Sequence, residues 1–376
     1  MTGLYFHIPF CLRKCPYCDF FSVEKNEGAV DAYGELLRKD LERAAANGWQ
    51  GPVDTLFFGG GTPSLLAPGV VADLLQGVAK HFGLSAEAEI SLEANPGTVD
   101  AQKLQGYRAA GVNRLSLGMQ SLQPNLLAKL GRPHSVAESR EAVRLARQAG
   151  FDNLSLDLMF ALPGQSRTEL ENDLDALLEF EPEHLSCYGL TAETGTPLGE
   201  QVAGGKIVLP DEDLYAELFL RVDARLTAAG YRHYEISNFA RPGYACRHNQ
   251  GYWQRLPCLG LGAGAHSFVA TGWGERRAVA ADLDRYAENV TAGRDTAQTI
   301  ETFDREGAMA EMLYLGLRTD RGVDAETFRA AFGVDLQMRY ADAIARCDDM
   351  LVCEEGRWRF NIDGWLLFNT LLSHFL

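Results

Sequence analysis

Along the first 230 residues the hydrophobic pattern alternates between two periods. Short apolar runs at Leu4–Ile8, Thr55–Phe58, Glu89–Leu92, Arg114–Leu117, Asn153–Leu158 and His184–Tyr188 carry β-branched, aromatic or leucine residues and are bounded by Gly, Pro or Asn. Such runs predict strands. Between them, Val30–Ala46, Gly69–Phe82, Val136–Gln148 and Thr168–Phe180 place apolar residues at helical spacing with charges on the opposite face. Val99–Ala109 is a shorter helix that Gly111 would cap, and Leu209–Ala229 is a further one. Strands alternating with helices predict an α/β fold with parallel strands and right-handed crossovers. Two closures are open: a doubly wound sheet, or a full or partial barrel. In both, ligands bind beyond the carboxyl ends of the strands.

After this region the pattern becomes irregular over Tyr231–Phe268, rich in Gly, aromatics and His, and 270–300 reads as a connection. A new unit starts at Thr302. Helices are predicted at Arg305–Leu317, Asp324–Phe332, Leu336–Asp348 and Gly364–Phe375, with a hairpin over Leu351–Asn361 turning at Glu355-Gly356. We divide the chain at 1–230, 231–300 and 301–376. The last unit has a winged-helix-like order but no basic cluster, so it reads as a packing or lid module.

Charge sharpens this reading. The 376 residues carry 35 basic and 51 acidic side chains, a net charge of −16, which argues against binding a phosphate backbone. No apolar run approaches the roughly 20 residues of a membrane span. The first ten residues lack the basic and apolar regions of a signal peptide. The chain is therefore expected in the cytoplasm, where disulfides are rare. Of its eight cysteines, Cys187, Cys246, Cys258, Cys347 and Cys353 are scattered and read as small buried hydrophobes, but Cys11, Cys15 and Cys18 fall within eight residues.

That cluster, Cys11-Leu-Arg-Lys-Cys15-Pro-Tyr-Cys18, directly follows the first predicted strand. Three thiolates on one loop can hold three corners of a [4Fe–4S] cubane, which ordinarily has a cysteine on each iron; the fourth iron then stays open for a ligand. Zinc is the rival, but a structural zinc site wants four closed ligands, and no second cysteine pair lies near. Gly59-Gly-Gly-Thr62 follows the second strand, where bare backbone serves either a tight turn or a close-lying ligand. Glu93, Gln120 and Asp157 lie at or near the carboxyl ends of the next three strands, and Arg132 in the loop Leu-Gly-Arg-Pro-His. A carboxylate inside an apolar strand is costly without a partner.

The CxxxCxxC spacing resembles the radical S-adenosylmethionine (SAM) superfamily. The resemblance implies a partial (βα)6 barrel and a cluster whose open iron chelates the amino and carboxylate groups of SAM. Tyr5-Phe-His-Ile-Pro-Phe-Cys11, Gly59-Gly-Gly-Thr-Pro, Gly111-Val-Asn-Arg-Leu-Ser-Leu-Gly-Met-Gln120, Asp157-Leu-Met-Phe-Ala-Leu-Pro-Gly164 and Tyr234-Glu-Ile-Ser-Asn-Phe-Ala240 narrow it to the oxygen-independent coproporphyrinogen III oxidase-like group, over nearly the whole chain. By that resemblance Cys11, Cys15 and Cys18 bind the cluster, and Tyr5, Tyr17, Gly60, Gly61, Thr62, Glu93, Gln120, Arg132 and Asp157 line the SAM site. Two departures separate the chain from the dehydrogenase of the group. Phe20 stands where that enzyme has an additional cysteine, and the first strand begins at residue 4, without a long N-terminal extension. Both features, with Arg247-His-Asn-Gln-Gly-Tyr-Trp253, resemble the haem-chaperone branch. That branch implies haem as cargo, haem-accepting respiratory proteins and an electron donor as partners, and His248, Asn249, Tyr252 and Trp253 as haem contacts. Imidazole is a common axial ligand and aromatic rings cover a porphyrin face. The alternative for His248 is an interior loop residue satisfying backbone groups, and His266 is a second candidate ligand.

Overall fold

The computed structural model describes residues 2–26, 28–49 and 51–376. Six strands, β1 (Gly3–Ile8), β2 (Val53–Gly60), β3 (Leu84–Ala94), β4 (Arg114–Gln120), β5 (Leu154–Phe160) and β6 (His184–Gly189), lie side by side in chain order and pair in parallel. Helices α1 (Ala29–Ala46), α2 (Pro68–His81), α3 (Ala101–Ala110), α4 (Val136–Gln148) and α5 (Arg167–Leu178) connect them. Local chemistry fixes where they start and stop. The Asp100 side chain caps α3 and Gly111, at φ 112°, ends it. Ser135 with Glu138 and Ser166 with Glu169 form capping boxes on α4 and α5. The strands face the core on both sides and read as near-continuous apolar runs.

Side chains from all six strands (Tyr5, Phe57, Glu93, Ser116, Asp157 and Ser186) border one internal hollow, so the sheet is wrapped around it. It does not close. Among the described residues its twelve strands end at unpaired edges, which makes it a partial barrel.

The extra strands come from the stretch that reads as irregular in the sequence. After α6 (Glu212–Ala228), β7 (Arg232–Glu235) and β8 (Asn238–Ala240) add antiparallel to the β6 edge. After α7 (Arg247–Trp253), β9 (Cys258–Leu261) pairs in parallel with β1, and β10 (His266–Val269), β11 (Glu275–Val279) and β12 (Ala297–Thr302) extend that edge antiparallel, with α8 (Leu283–Thr291) inserted before β12. These strands are three to six residues long, too short for a clear alternation, and β12 is almost wholly solvent-facing.

The terminal unit packs α9 (Arg305–Gly316) and α10 (Ala325–Phe332) with a small antiparallel sheet of β13 (Val323–Asp324), β14 (Leu351–Glu354) and β15 (Arg357–Phe360). The helix expected over Leu336–Asp348 breaks at Tyr340, and that over Gly364–Phe375 is two short helices, Ile362–Leu366 and Phe368–Leu372. One hydrophobic core runs from Leu4 in the barrel to Phe375 in this unit. Arg318 pairs with the buried Glu235 at 3.0 Å, and the Trp365 indole donates to the Leu317 carbonyl at 3.1 Å.

Candidate cofactor site

The cysteine loop leaves the barrel at the carboxyl end of β1. Phe10–Cys11 pairs in parallel with Val23–Glu24, which pins both ends of the loop. Cys11, Cys15 and Cys18 border one cavity of about 410 Å³, together with Tyr17, Gly60, Gly61, Thr62, Glu93, Gln120, Arg132 and Asp157. Among the described residues, no three His, Cys, Asp or Glu side chains are placed to hold a single metal ion; the thiols share a wall. Thr62 Oγ1 donates to Cys11 Sγ at 3.6 Å, and Arg132 Nη1 lies 3.5 Å from both Cys15 Sγ and the Tyr17 hydroxyl. Burial pushes the Cys18 thiol up, and the neighbouring cysteines add to the shift.

The glycine strip is bare for two reasons. Gly60 sits at φ 113°, and a Cβ there would lie 2.8 Å from the His7 ring; on Gly61 it would lie 2.7 Å from the Phe10 carbonyl oxygen. Barrel packing alone therefore demands glycine, and the Gly61 N–H donates to the Ile8 carbonyl at 2.8 Å. The Gly60 N–H donates to Glu93 Oε2 at 3.2 Å. Glu93 and Asp157 are partly exposed, but onto the cavity, beneath enough protein that burial dominates. Burial, then the charge of Asp157, pushes the Glu93 carboxyl up to about 8, and burial also raises Asp157 against hydrogen bonds from serines. Arg132 Nη2 donates to the Gly118 carbonyl at 2.9 Å, while its Nε is buried without a partner among the described residues. Gln120 ends β4 at φ 67°, a left-handed conformation that marks strain at a site. The next turn is held by buried Asp173, which accepts from Ser121 Oγ, the Leu122 N–H and Gln123 Nε2.

The comparisons agree with this geometry. Residues 5–177 match the family model of the radical SAM superfamily, and 303–367 match the HemN C-terminal domain. The heme chaperone HemW of Escherichia coli is 38% identical over 377 residues, covering 100% of this chain and 98% of that protein. HemW of Bacillus subtilis is 34% identical, covering 100% and 99%. The chain belongs to the HemW family of radical SAM proteins. A mitochondrial radical SAM domain-containing protein of Danio rerio, 38% identical, covers 86% of this chain and 74% of its own length. Among solved structures, the coproporphyrinogen III oxidase HemN of E. coli superposes with a TM-score of 0.84 at 22% identity, over 100% of this chain and 89% of that one. That likeness establishes the shared fold.

The cavity fits the cofactors this family implies. Three thiols on one wall, a bare glycine edge, an unpartnered buried guanidinium nitrogen and a carboxylate pair suit a cluster beside a ligand with amino and carboxylate ends. All the expected cofactor-site residues meet there except Tyr5. Tyr5 lies in register with Phe57, three residues below Gly60, and opens onto a separate hollow of about 220 Å³ beneath. Its hydroxyl bonds His7 Nδ1 at 3.1 Å.

Of the four expected haem contacts, His248, Asn249 and Tyr252 border the lower hollow and Trp253 does not. His248 lies on α7, at the amino ends of the strands, where Glu89 accepts from the Arg247 and His248 N–H groups at 3.1 and 3.0 Å. His248 is buried. Its Nδ1 bonds Thr55 Oγ1 at 3.0 Å and its Nε2 the Tyr252 hydroxyl at 2.9 Å, and the ring stacks on Phe57. Burial lowers it to about 3. No ring nitrogen is left for iron, so the expected ligation gives way to the interior role. Asn249 and Tyr252 face the lower hollow with His248, whereas Trp253 faces a cleft against the terminal unit, with Arg318 4.2 Å above its ring. His266, in contrast, is exposed and opens β10 at the end of the sheet where the cysteine loop lies. A larger hollow of about 650 Å³, between Glu306, Met338 and Leu376 in the terminal unit, gathers no comparable set of reactive groups.

Sequence reading missed Arg114, Ser116, Ser186 and Tyr188, which line the lower hollow. The available signal was a charged residue opening the apolar run Arg114–Leu117.

Proposed function

We propose that this protein is a haem chaperone: it holds a [4Fe–4S] cluster on Cys11, Cys15 and Cys18, binds SAM beside it, and carries haem for delivery to respiratory proteins in the cytoplasm. The observation that carries this reading is the identity with HemW proteins along the entire chain. When bound, the cluster supplies an open iron for the SAM amino and carboxylate groups and an electron for reductive cleavage. The chain's own residues do the rest. The Arg132 cation beside Cys15 offsets thiolate charge, and Thr62 donates to Cys11. Once it has lost its proton, Glu93 would accept a hydrogen bond from the SAM amino group, with Asp157 and Gln120 beside it and Tyr17 flanking the adenine.

For the cargo, His266 is the favoured axial ligand, because its ring has no hydrogen-bond partner among the described residues and it lies at the open end. Phe20, 65% exposed at the cavity rim, offers an apolar face close to the cluster loop. Haem titration of wild type, His266→Ala and His248→Ala tests this: weakened binding in His266→Ala alone supports it, and weakening in His248→Ala alone overturns it. The second reading is radical chemistry on a porphyrinogen or another flat aromatic substrate, with a separate electron donor. It draws on the completeness of the cofactor cavity.

A further inference from the structure

Gln120 is held in a conformation it would not adopt unaided. Its φ of 67° is one that residues other than glycine rarely take. The Ser121 N–H donates to the Met119 carbonyl at 2.9 Å, a bond that spans Gln120 alone. Such a bond at positive φ makes the strained form of the γ-turn. The turn sits on a bulge. Gly118 pairs with Asp157 and Gln120 with Leu158, so two steps along β4 match one along β5. Partners in a parallel pair face the same way, and Leu158 packs in the core. With extended backbone Gln120 would face the core too. It lines the cofactor cavity instead. Its amide nitrogen lies over Gly118, where a Cβ would come within 3.1 Å of it and 3.4 Å of Arg132 Nη2.

Strain of this kind persists only where the surroundings over-determine it. One carboxylate supplies most of the restraint. Asp173 is fully buried on α5 and does not border the cavity. It accepts from the three residues that follow Gln120: Ser121 Oγ at 2.7 Å, the Leu122 N–H at 2.9 Å and Gln123 Nε2 at 2.9 Å. On the near side of the turn, His134 Nε2 bonds the Met119 carbonyl at 3.3 Å. A buried carboxylate is costly where packing alone is needed. Leu170, Leu174 and Leu177 serve that purpose on the same helix.

We propose that Asp173 is a positioning residue for the cofactor: it keeps the backbone turned at Gln120 so that the Gln120 side chain faces the cavity. This rests on the reading that SAM occupies that cavity. Without the three bonds, Gln120 relaxes to negative φ and its side chain swings toward the face of Leu158.

The test is a double-mutant cycle read by calorimetric SAM titration of the full-length protein, anaerobically reconstituted with its cluster. Asp173→Ala should weaken SAM binding about tenfold or more, with iron and sulfide content unchanged. Asp173→Asn keeps an acceptor for the Leu122 and Gln123 donors and should recover most of that loss. In a Gln120→Ala background, Asp173→Ala should change the affinity less than about twofold, because the side chain it positions is gone. A carboxylate that only supports the fold would lower affinity equally in both backgrounds. Should Asp173→Ala not fold, Ser121→Ala with Gln123→Ala removes two of the three bonds from the other end and should give the same background-dependent loss. Unchanged affinity on removing the bonds, an equal loss with and without Gln120, or a loss in Asp173→Asn as deep as in Asp173→Ala would overturn the proposal. Absence of SAM binding by the wild type would overturn the cofactor reading together with it, so the wild-type titration tells the two failures apart.

Discussion

Glu93 sits between a backbone amide that favours its charge and a burial that opposes it. With its carboxyl pushed up to about 8 by burial and by Asp157, the empty site is mostly protonated at neutral pH. The unfolded chain releases that proton more readily, so Glu93 contributes stability that is lost as pH rises from the ordinary carboxylate range to about 8. Binding runs the other way. The amino group gives up a proton to reach the iron and then donates to the carboxylate, so SAM affinity should rise with pH until both Glu93 and the amino group are deprotonated. Calorimetry at pH 7 in two buffers of different ionisation heat should register proton release, and Glu93→Gln should reduce it; equal heats in the two buffers would contradict the assignment. At the loop, Cys15→Ala removes a cluster corner and the thiol facing Arg132. Anaerobically reconstituted mutant should lose the brown chromophore, whereas retention of four irons and four sulfides would remove Cys15 from the ligand set. The cysteines were legible from their spacing on one loop, the glycine strip, Glu93, Gln120 and Asp157 because they lie at or near the carboxyl ends of strands, and Arg132, on a loop, through the family resemblance. Tyr5 was expected at the cofactor site through the family resemblance alone; it borders the hollow beneath, three residues along the strand from the level of Gly60, which is about 10 Å.

Helix α7 carries the least expected consequence of the fold. Its seven residues hold a glycine and two amide side chains, a pattern that reads as loop, and only the Glu89 carboxylate accepting its first N–H groups explains why it is helical there. It packs beneath the barrel with His248 between Thr55 and Tyr252. His248→Ala strips the Thr55 hydroxyl of its ring partner, leaves the Tyr252 hydroxyl only the Cys258 thiol and opens a void under Phe57, and should cost about 2–4 kcal/mol of stability. Denaturant unfolding of the pure protein checks this; an unchanged midpoint would contradict an interior role. The strands flanking the barrel were illegible for a related reason. They are short, and their order is decided by pairing partners far away in sequence, such as β9 on β1.

At the scale of the whole molecule, one continuous core ties the barrel to the terminal unit. The six-strand alternation predicted the barrel strands but could not decide closure, which depends on what caps the two edges. The same limit applies to function. The cofactor cavity is common to chaperone and dehydrogenase readings, and what separates them is Phe20 at the rim and the fate of a tetrapyrrole placed there. Radical chemistry on a propionate needs an oriented site that excludes water, whereas reversible loading suits an open rim. The most direct measurement is a paired assay on one anaerobically reconstituted sample: haem titration, and turnover of coproporphyrinogen III with SAM and a reductant. Saturable haem binding without formation of protoporphyrinogen is the expected result; protoporphyrinogen formed in catalytic amounts, or no haem bound, would contradict it.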